Sequence, residues 1–147
     1  LLLIVLWLFT MSSWSETRPD GLLDGLHQDA HEGNFQSYFE RYTSDAVFLG
    51  TDKTERWSIE EFKAYADPAF ADGPGWTYEV IERNWEGDGQ TRWFDEILFN
   101  EKLGPCRGTG VLEWVEGEWK IAHYALTMLV PNTIAEDGGS QTKQADN

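Results

Sequence analysis

The sequence predicts an α+β domain in which helices come first and an antiparallel sheet follows, so that the helices cover one face of the sheet. Between Gly21 and Tyr42, apolar residues recur at helical spacing, whereas after Gly75 the chain changes to strand-like segments separated by turn signals. A length of 147 residues supports one domain with a sizeable core and is too short for two typical ones. We therefore expect one domain of this class.

Three helices are predicted. The first two break near Gly33 and Asn34, and their apolar positions are Leu22, Leu23, Leu26, Ala30, Phe35, Tyr38, Phe39 and Tyr42. The third begins after Ser58, which has the N-cap position, with Glu61 as its capping-box partner. Pro68 is expected to kink or end this helix, and the cluster at 72–75 to close it.

Strands are predicted at 46–50, 76–85, 91–99, 106–115 and 119–129. The last four form an antiparallel meander, since turn signals separate them at Gly87 to Gly89, Gly104 to Pro105 and Glu116 to Gly117. The tail at 132–147 is rich in polar residues and glycine without hydrophobic periodicity, and we expect it to be disordered.

The N-terminal run LLLIVLWLFT is followed by small residues and resembles a secretory signal peptide over residues 1–15, with Ser15 the last residue removed. We accordingly expect a secreted or periplasmic protein without stable membrane association after cleavage. A short membrane anchor is the alternative, although the run is shorter than the roughly 18 apolar residues that a span needs. Because the chain begins with Leu1 and no basic segment precedes the run, the N-terminus could be incomplete and a longer anchor stays open.

A formal net charge of −15 and the lack of any Lys/Arg cluster argue against nucleic acid as a partner. Cys106 is the only cysteine, so no intrachain disulfide is possible and we expect a buried thiol. His27 and His31 have the i, i+4 spacing of a helical metal pair but no third ligand, and they are interpreted as a solvated helix face. No metal and no cofactor is expected.

Three segments, DAVFLGTDKTERWSIEEF, RWFDEILFNEKLGPCRGTGVL and EGEWKIAHYALT, resemble SnoaL-like domains of the nuclear transport factor 2-like superfamily. The resemblance covers about residues 21–131. It implies a cone-shaped α+β barrel fold whose pocket holds a hydrophobic small molecule. It also implies a homodimer through the sheet, because both faces of the WFDEILF strand are apolar.

The register of the last hairpin suggests a place for His123. A two-residue turn at Glu116 and Gly117 puts Gly110 opposite His123, with Gly108 next on that face, which leaves room for a ligand. As catalytic residues we predict His123 as a general base and Asp95 as the carboxylate that orients it. The alternatives are a hydrogen-bonded core histidine and a structural ion pair of Asp95 with Arg83 or Arg107.

Five further side chains are predicted to contact the ligand: Glu55, Trp57, Trp76, Trp93 and Arg107. Trp57, Trp76 and Trp93 would form aromatic walls, Glu55 would hydrogen-bond the ligand, and Arg107 would face a carboxylate or an enolate. The alternatives are core packing for the tryptophans, a surface ion pair for Glu55 and pairing with Asp95 or Glu96 for Arg107. By register Arg107 lies on the face opposite to His123, unless a β-bulge intervenes.

Two functions follow from these expectations. The first is cofactor-free proton transfer on a carbonyl compound, of the isomerase, cyclase or dehydratase type. The second is a non-catalytic ligand-binding or dimerisation module.

Overall fold

The described part of the chain, residues 19–146 of the computed structural model, contains helices that precede and pack on one sheet. Its elements are α1 (Asp20–Glu32), α2 (Phe35–Glu40), β1 (Tyr42–Leu49), β2 (Arg56–Ser58), α3 (Ile59–Ala71), β3 (Glu79–Glu86), β4 (Thr91–Asn100), β5 (Gly104–Val115), β6 (Glu118–Met128), a 3-10 turn (Asn132–Ile134) and α4 (Ala135–Ala145). The predicted α+β cone fold is confirmed. The signal-like segment at 1–15 lies outside the described residues.

The sheet is curved and open, with strand order β2-β1-β6-β5-β4-β3. The predicted meander is confirmed, because β3, β4, β5 and β6 pair antiparallel in sequence order. The sequence did not predict β2, nor the parallel pairing of β1 with β6. That pairing brings the first strand, which follows the helices, beside the last strand of the meander.

Local signals place the helix ends. Gly33 ends α1 in the left-handed conformation with φ of 74°, which glycine adopts without steric cost. The predicted capping box is present at α3, where Ser58 Oγ accepts from the Glu61 N–H and Glu61 Oε2 accepts from the Ser58 N–H. Pro68 does not end α3, which continues to Ala71. Burial of Phe70 beyond the proline holds the last turn against the core.

The predicted hairpin register is confirmed at the turn and wrong beyond it. Trp114 pairs with Trp119, but a bulge between Val111 and Leu112 makes Gly110 pair with Tyr124 instead of His123. One additional residue reverses which face every later side chain occupies. Tyr124 therefore lies on the face covered by the helices, and His123 on the opposite one.

We call these the cone face and the outer face of the sheet. On the cone face, side chains of the helices and strands form the core, whose most buried large members are Phe62, Leu23, Leu26, Leu98, Leu112 and Ile121. Cys106 is also fully buried, as predicted. The outer face leaves Trp93 and Phe99 exposed.

The C-terminal tail differs from the prediction of disorder at 132–147. Residues Ala135–Ala145 form α4, none of whose residues is buried. Glu136 and Asp137 lie in its first turn, where acidic side chains stabilise a helix because they interact with the positive end of its dipole. This local electrostatic signal is independent of hydrophobic periodicity. Within residues 19–146, no helix combines the length and apolarity that a membrane span requires.

Candidate functional site

A cavity of about 280 Å³ lies between the cone face of the sheet and the helices. Its wall is largely aromatic, and the rings that line it are Tyr38, Phe48, Trp57, Phe62, Tyr65, Trp76, Tyr78 and Tyr124. The polar residues at its rim are Thr51, Glu55, Asn100 and Lys102. A cavity with apolar walls and a few polar groups is typical of a small-molecule site.

Several rings of the wall are nearly parallel to one another. The plane of Phe48 makes angles of 2° with Tyr124, 17° with Phe62 and 16° with Trp57. Trp76 lies at 17° to Phe62. Because aligned rings present parallel planes to whatever contacts them, this wall favours a flat ligand.

Behind the cavity wall lies Glu96 on β4, which is completely buried and contacts the lining residues His27 and Tyr124. Its Oε1 is 2.8 Å from His27 Nε2 and accepts a hydrogen bond from the Tyr124 hydroxyl at 2.9 Å. Its Oε2 accepts from Arg83 Nε at 3.0 Å, while Arg83 Nη2 lies 2.9 Å away without the angle of a hydrogen bond. Both carboxylate oxygens are thus satisfied by charged or polar partners.

These partners keep Glu96 ionised. Burial alone raises the pKa of its carboxyl, but the hydrogen bond from His27, the charge of Arg83 and the Tyr124 hydrogen bond outweigh burial and lower that pKa below its ordinary value. Since a carboxylate can only accept hydrogen bonds, His27 Nε2 must carry the hydrogen of the short contact. When the His27 imidazole is neutral, its lone pair is therefore on Nδ1. The imidazole ring of His27 lines the cavity.

Two structural features hold this group in place. Arg83 Nη1 donates to the carboxylates of Asp20 and Asp24 on α1, at 3.3 and 2.8 Å, so the arginine joins the helix that carries His27 to the sheet. Gly108 faces Glu96 on β5, where a Cβ atom would collide with the Tyr124 hydroxyl. The glycine therefore provides the space for the Tyr124–Glu96 hydrogen bond.

Four tyrosines in or beside the cavity remain protonated. Burial raises the pKa of Tyr38, Tyr42 and Tyr124 well above the ordinary value, and that of the less buried Tyr78 to about 12. The hydroxyls of Tyr38 and Tyr42 lie 3.1 Å apart. If Tyr42 donates in this pair, the Tyr38 hydroxyl hydrogen is available to a ligand in the cavity that Tyr38 lines.

The predicted ligand-binding residues divide between the two faces. Glu55, Trp57 and Trp76 line the cavity. Trp93 is half-exposed on the outer face, and Arg107 is exposed there, opposite Ile97. The predicted pairing of Arg107 with Glu96 is wrong, because Arg83 is the cation that contacts Glu96.

The predicted catalytic pair lies away from the cavity. His123 and Asp95 line an open depression of about 350 Å³ on the outer face, together with Trp93 and Thr109. The bulge in the last hairpin placed His123 there. The room that the sequence assigned to a ligand beside Gly108 and Gly110 is occupied by Tyr124 and Phe94.

The position of His27 on α1 is a sequence signal that this residue faces the core. His27 does not belong to a solvated helix face, since its side chain is 11% exposed and contacts buried Glu96. It shares the apolar stripe of α1 with Leu23, Leu26 and Ala30, the spacing of one helix face. Among residues 19–146, no group of three or more His, Cys, Asp or Glu side chains is arranged to hold a metal ion.

Comparison with known proteins gives a family and a fold. The model of the SnoaL-like domain family matches residues 20–131. An NTF2-like protein of unknown function from Pseudomonas putida is 13% identical with a TM-score of 0.66, over 78% of this chain and 86% of that chain. No curated protein matches the chain.

Two other similar structures have provisional functional descriptions. One, described provisionally as a ketosteroid isomerase from Shewanella frigidimarina, is 16% identical with a TM-score of 0.62, over 76% of this chain and 96% of that chain. The other, described provisionally as a calcium/calmodulin-dependent kinase II association domain from Exiguobacterium sibiricum, is 21% identical with a TM-score of 0.61, over 78% of this chain and 92% of that chain. At these identities the likeness concerns the fold.

Proposed function

The chain belongs to the SnoaL-like domain family, and from this premise we propose that it binds a flat, hydrophobic carbonyl compound in the cone cavity and transfers a proton on it without a cofactor. One observation carries the proposal. His27, the only histidine lining the aromatic cavity within the described residues, is hydrogen-bonded to a buried, ionised glutamate. A ligand in this cavity would contact an imidazole whose orientation a carboxylate fixes.

The proposed step is enolisation. His27 Nδ1 takes the proton from the carbon next to the carbonyl group. The electron pair of that C–H bond forms the C=C bond of an enolate, and the π electrons of the carbonyl group move to its oxygen. Glu96 stabilises the imidazolium that forms, since the carboxylate already accepts from Nε2 at 2.8 Å. The Tyr38 hydroxyl donates to the enolate oxygen. In a ketone that has a C=C bond beyond the deprotonated carbon, the enolate is conjugated, and return of the proton to the far carbon shifts this double bond and gives an isomer.

Two further observations support the proposal. The parallel rings of Phe48, Phe62 and Tyr124 suit a planar body. The structure from Shewanella frigidimarina, which has the same fold, is described provisionally as a ketosteroid isomerase, an enzyme that acts on a ketone. We therefore assign His27 the role that the sequence suggested for His123, and Glu96 the role suggested for Asp95.

Blocking the cavity tests ligand binding. Leu126 lines the cavity on β6, so tryptophan in the L126W variant would fill part of the space. The matched control is T127W on the next residue, which is exposed on the outer face opposite Arg107. Isothermal titration calorimetry with 6-acetyl-2-naphthamide, a flat neutral ketone, should give at least about tenfold weaker binding to L126W and unchanged binding to T127W. Equal binding to both folded variants would contradict the proposal.

The outer face favours a second proposed property, a homodimer through the sheet. Trp93 and Phe99 on β4 are 51% and 44% exposed on this face, and large apolar side chains exposed on one sheet face are typical of an association surface. The similar structure from Exiguobacterium sibiricum is described provisionally as an association domain. Dimerisation and ligand binding use different faces and are compatible.

A further inference from the structure

The mouth of the cone cavity carries a lysine for which the proposed proton transfer has no role. Lys102 lies in the turn between β4 and β5, and it is the one Lys or Arg that lines the cavity within residues 19–146. Three other lysines of this part of the chain form ion pairs with carboxylates, namely Lys53, Lys63 and Lys120. The ammonium group of Lys102 has no such partner among the described residues.

The turn that carries Lys102 is fixed by a neighbouring side chain. Asn100 Oδ1 accepts from the backbone N–H groups of Lys102 and Leu103, both at 2.9 Å. Asn100 Nδ2 donates to the carbonyl oxygen of Thr77, which ties the turn to the segment before β3. The backbone of Lys102 is thus held at the rim, while its long side chain stays able to reach a ligand.

The only acidic side chain that lines the rim among the described residues is Glu55, and it is engaged in its own loop. Glu55 Oε2 accepts from the backbone N–H of Asp52 at 3.1 Å, and its side chain lies against Gly50, where a Cβ atom would collide with it. Glu55 therefore does not neutralise Lys102. In a chain with a formal charge of −15, this leaves an uncompensated positive group at the entrance of an apolar cavity.

On the basis of the proposed function, we propose that the ligand is a flat aryl ketone that also carries a carboxylate, and that the carboxylate binds Lys102. The ketone lies at the inner end beside His27, the rings lie along the aromatic wall, and the carboxylate stays at the hydrated rim. The arrangement follows the exposure of the two lining residues, because His27 is 11% exposed and contacts buried Glu96, whereas Lys102 is exposed to solvent. Lys102 is then a specificity-determining residue that selects acids over neutral ketones of the same shape.

A matched pair of probes tests this inference: 6-acetyl-2-naphthoic acid, and 6-acetyl-2-naphthamide, which has the same rings and ketone but no charge. Isothermal titration calorimetry should show that the acid binds more tightly than the amide. The K102Q variant should weaken binding of the acid by about fivefold, as expected of a partly hydrated ion pair, and leave binding of the amide unchanged. The control K63Q removes a lysine of α3 that pairs with Glu60 outside the cavity, and should alter neither.

Raising the salt concentration should weaken binding of the acid and not of the amide, because ions screen a pair at the rim. An equal loss for both probes in K102Q, or equal affinity of wild type for acid and amide, would overturn the role of Lys102 and leave the proposed function intact. If neither probe bound wild-type protein, the proposed function would fail and this inference with it.

Discussion

Replacing the buried glutamate by glutamine perturbs the centre of the proposed site most directly. In the E96Q variant the side chain keeps its shape but loses its charge and one of its two acceptor oxygens. If the amide oxygen faces His27 and Tyr124, the amide N–H₂ group faces Arg83, whose side chain is 7% exposed. The reverse orientation turns the N–H₂ group toward two donors instead.

In either orientation of the amide, buried hydrogen-bond donors lose the oxygen that accepts from them: Arg83 in the first case, and His27 and Tyr124 in the second. Removing one partner of a buried ion pair costs about 3–5 kcal/mol, and a charge-assisted hydrogen bond contributes about 1.5–3 kcal/mol. Arg83 keeps its contacts with Asp20 and Asp24, which reduces the loss. We expect E96Q to lower the free energy of unfolding by about 3 kcal/mol at pH 7.

The pH dependence of the free energy of unfolding distinguishes the effect of the Glu96 charge from that of side-chain packing. The pKa of Glu96 is lowered in the folded state, so its ionised form stabilises the fold fully above the ordinary glutamate value of 4.5. This contribution is lost as pH falls through the lowered pKa. The difference in stability between wild type and E96Q should therefore be constant from pH 7 to about pH 5 and shrink at lower pH.

Urea unfolding followed by tryptophan fluorescence measures these differences. The matched control is D95N on the same strand, because Asp95 points to the outer face and makes one 3.3 Å hydrogen bond, with Asn84. D95N should change the free energy of unfolding by less than about 0.5 kcal/mol. A cost below about 1 kcal/mol for E96Q, or a cost for D95N as large as that for E96Q, would refute the assignment of Glu96 as a paired, ionised centre.

Three other predictions concern the fold and the outer face. G108A should lower the free energy of unfolding by about 2 kcal/mol, because the added methyl group displaces the Tyr124 hydroxyl. The control G21A places its methyl group in open space and should not destabilise the protein. Thermal unfolding followed by circular dichroism measures both variants. S58A should cost about 1 kcal/mol in urea unfolding, through loss of the hydrogen bond to the Glu61 N–H, and an unchanged midpoint would contradict this role. W93E should convert the proposed dimer to a monomer in sedimentation velocity, and a wild-type protein that sediments as a monomer would refute the dimer.

The fold could be predicted from the sequence because its signals are local. The capping box at Ser58, the apolar stripe of α1 and the Gly-containing turns each depend on residues close in the chain. The short strand β2 was missed, since its three residues have no alternation to detect. The antiparallel pairing of β2 with β1 requires the chain to reverse direction after β1, and the sequence does not indicate this reversal.

The site was predicted less well, for a definite physical reason. The sequence-based register of β5 and β6 assumed a regular hairpin with a two-residue turn, whereas the bulge between Val111 and Leu112 exchanges His123 and Tyr124 between the faces. Glu96 and His27 are separated by 69 positions, so no local pattern joins them. The position of His27 on an apolar helix stripe indicates a buried polar group, but nothing in the sequence identifies Glu96 as its partner.

The central claim is that His27 is a base in the cone cavity, and deuterium exchange tests it most directly. Proton NMR in D₂O follows loss of the acetyl methyl signal of 6-acetyl-2-naphthamide, whose methyl protons are acidified by the ketone. Wild-type protein should accelerate the exchange, H27Q should reduce that acceleration at least about 100-fold, and H123Q, which alters the histidine of the outer face, should retain it. Full activity of H27Q, or loss of activity in H123Q alone, would contradict the claim.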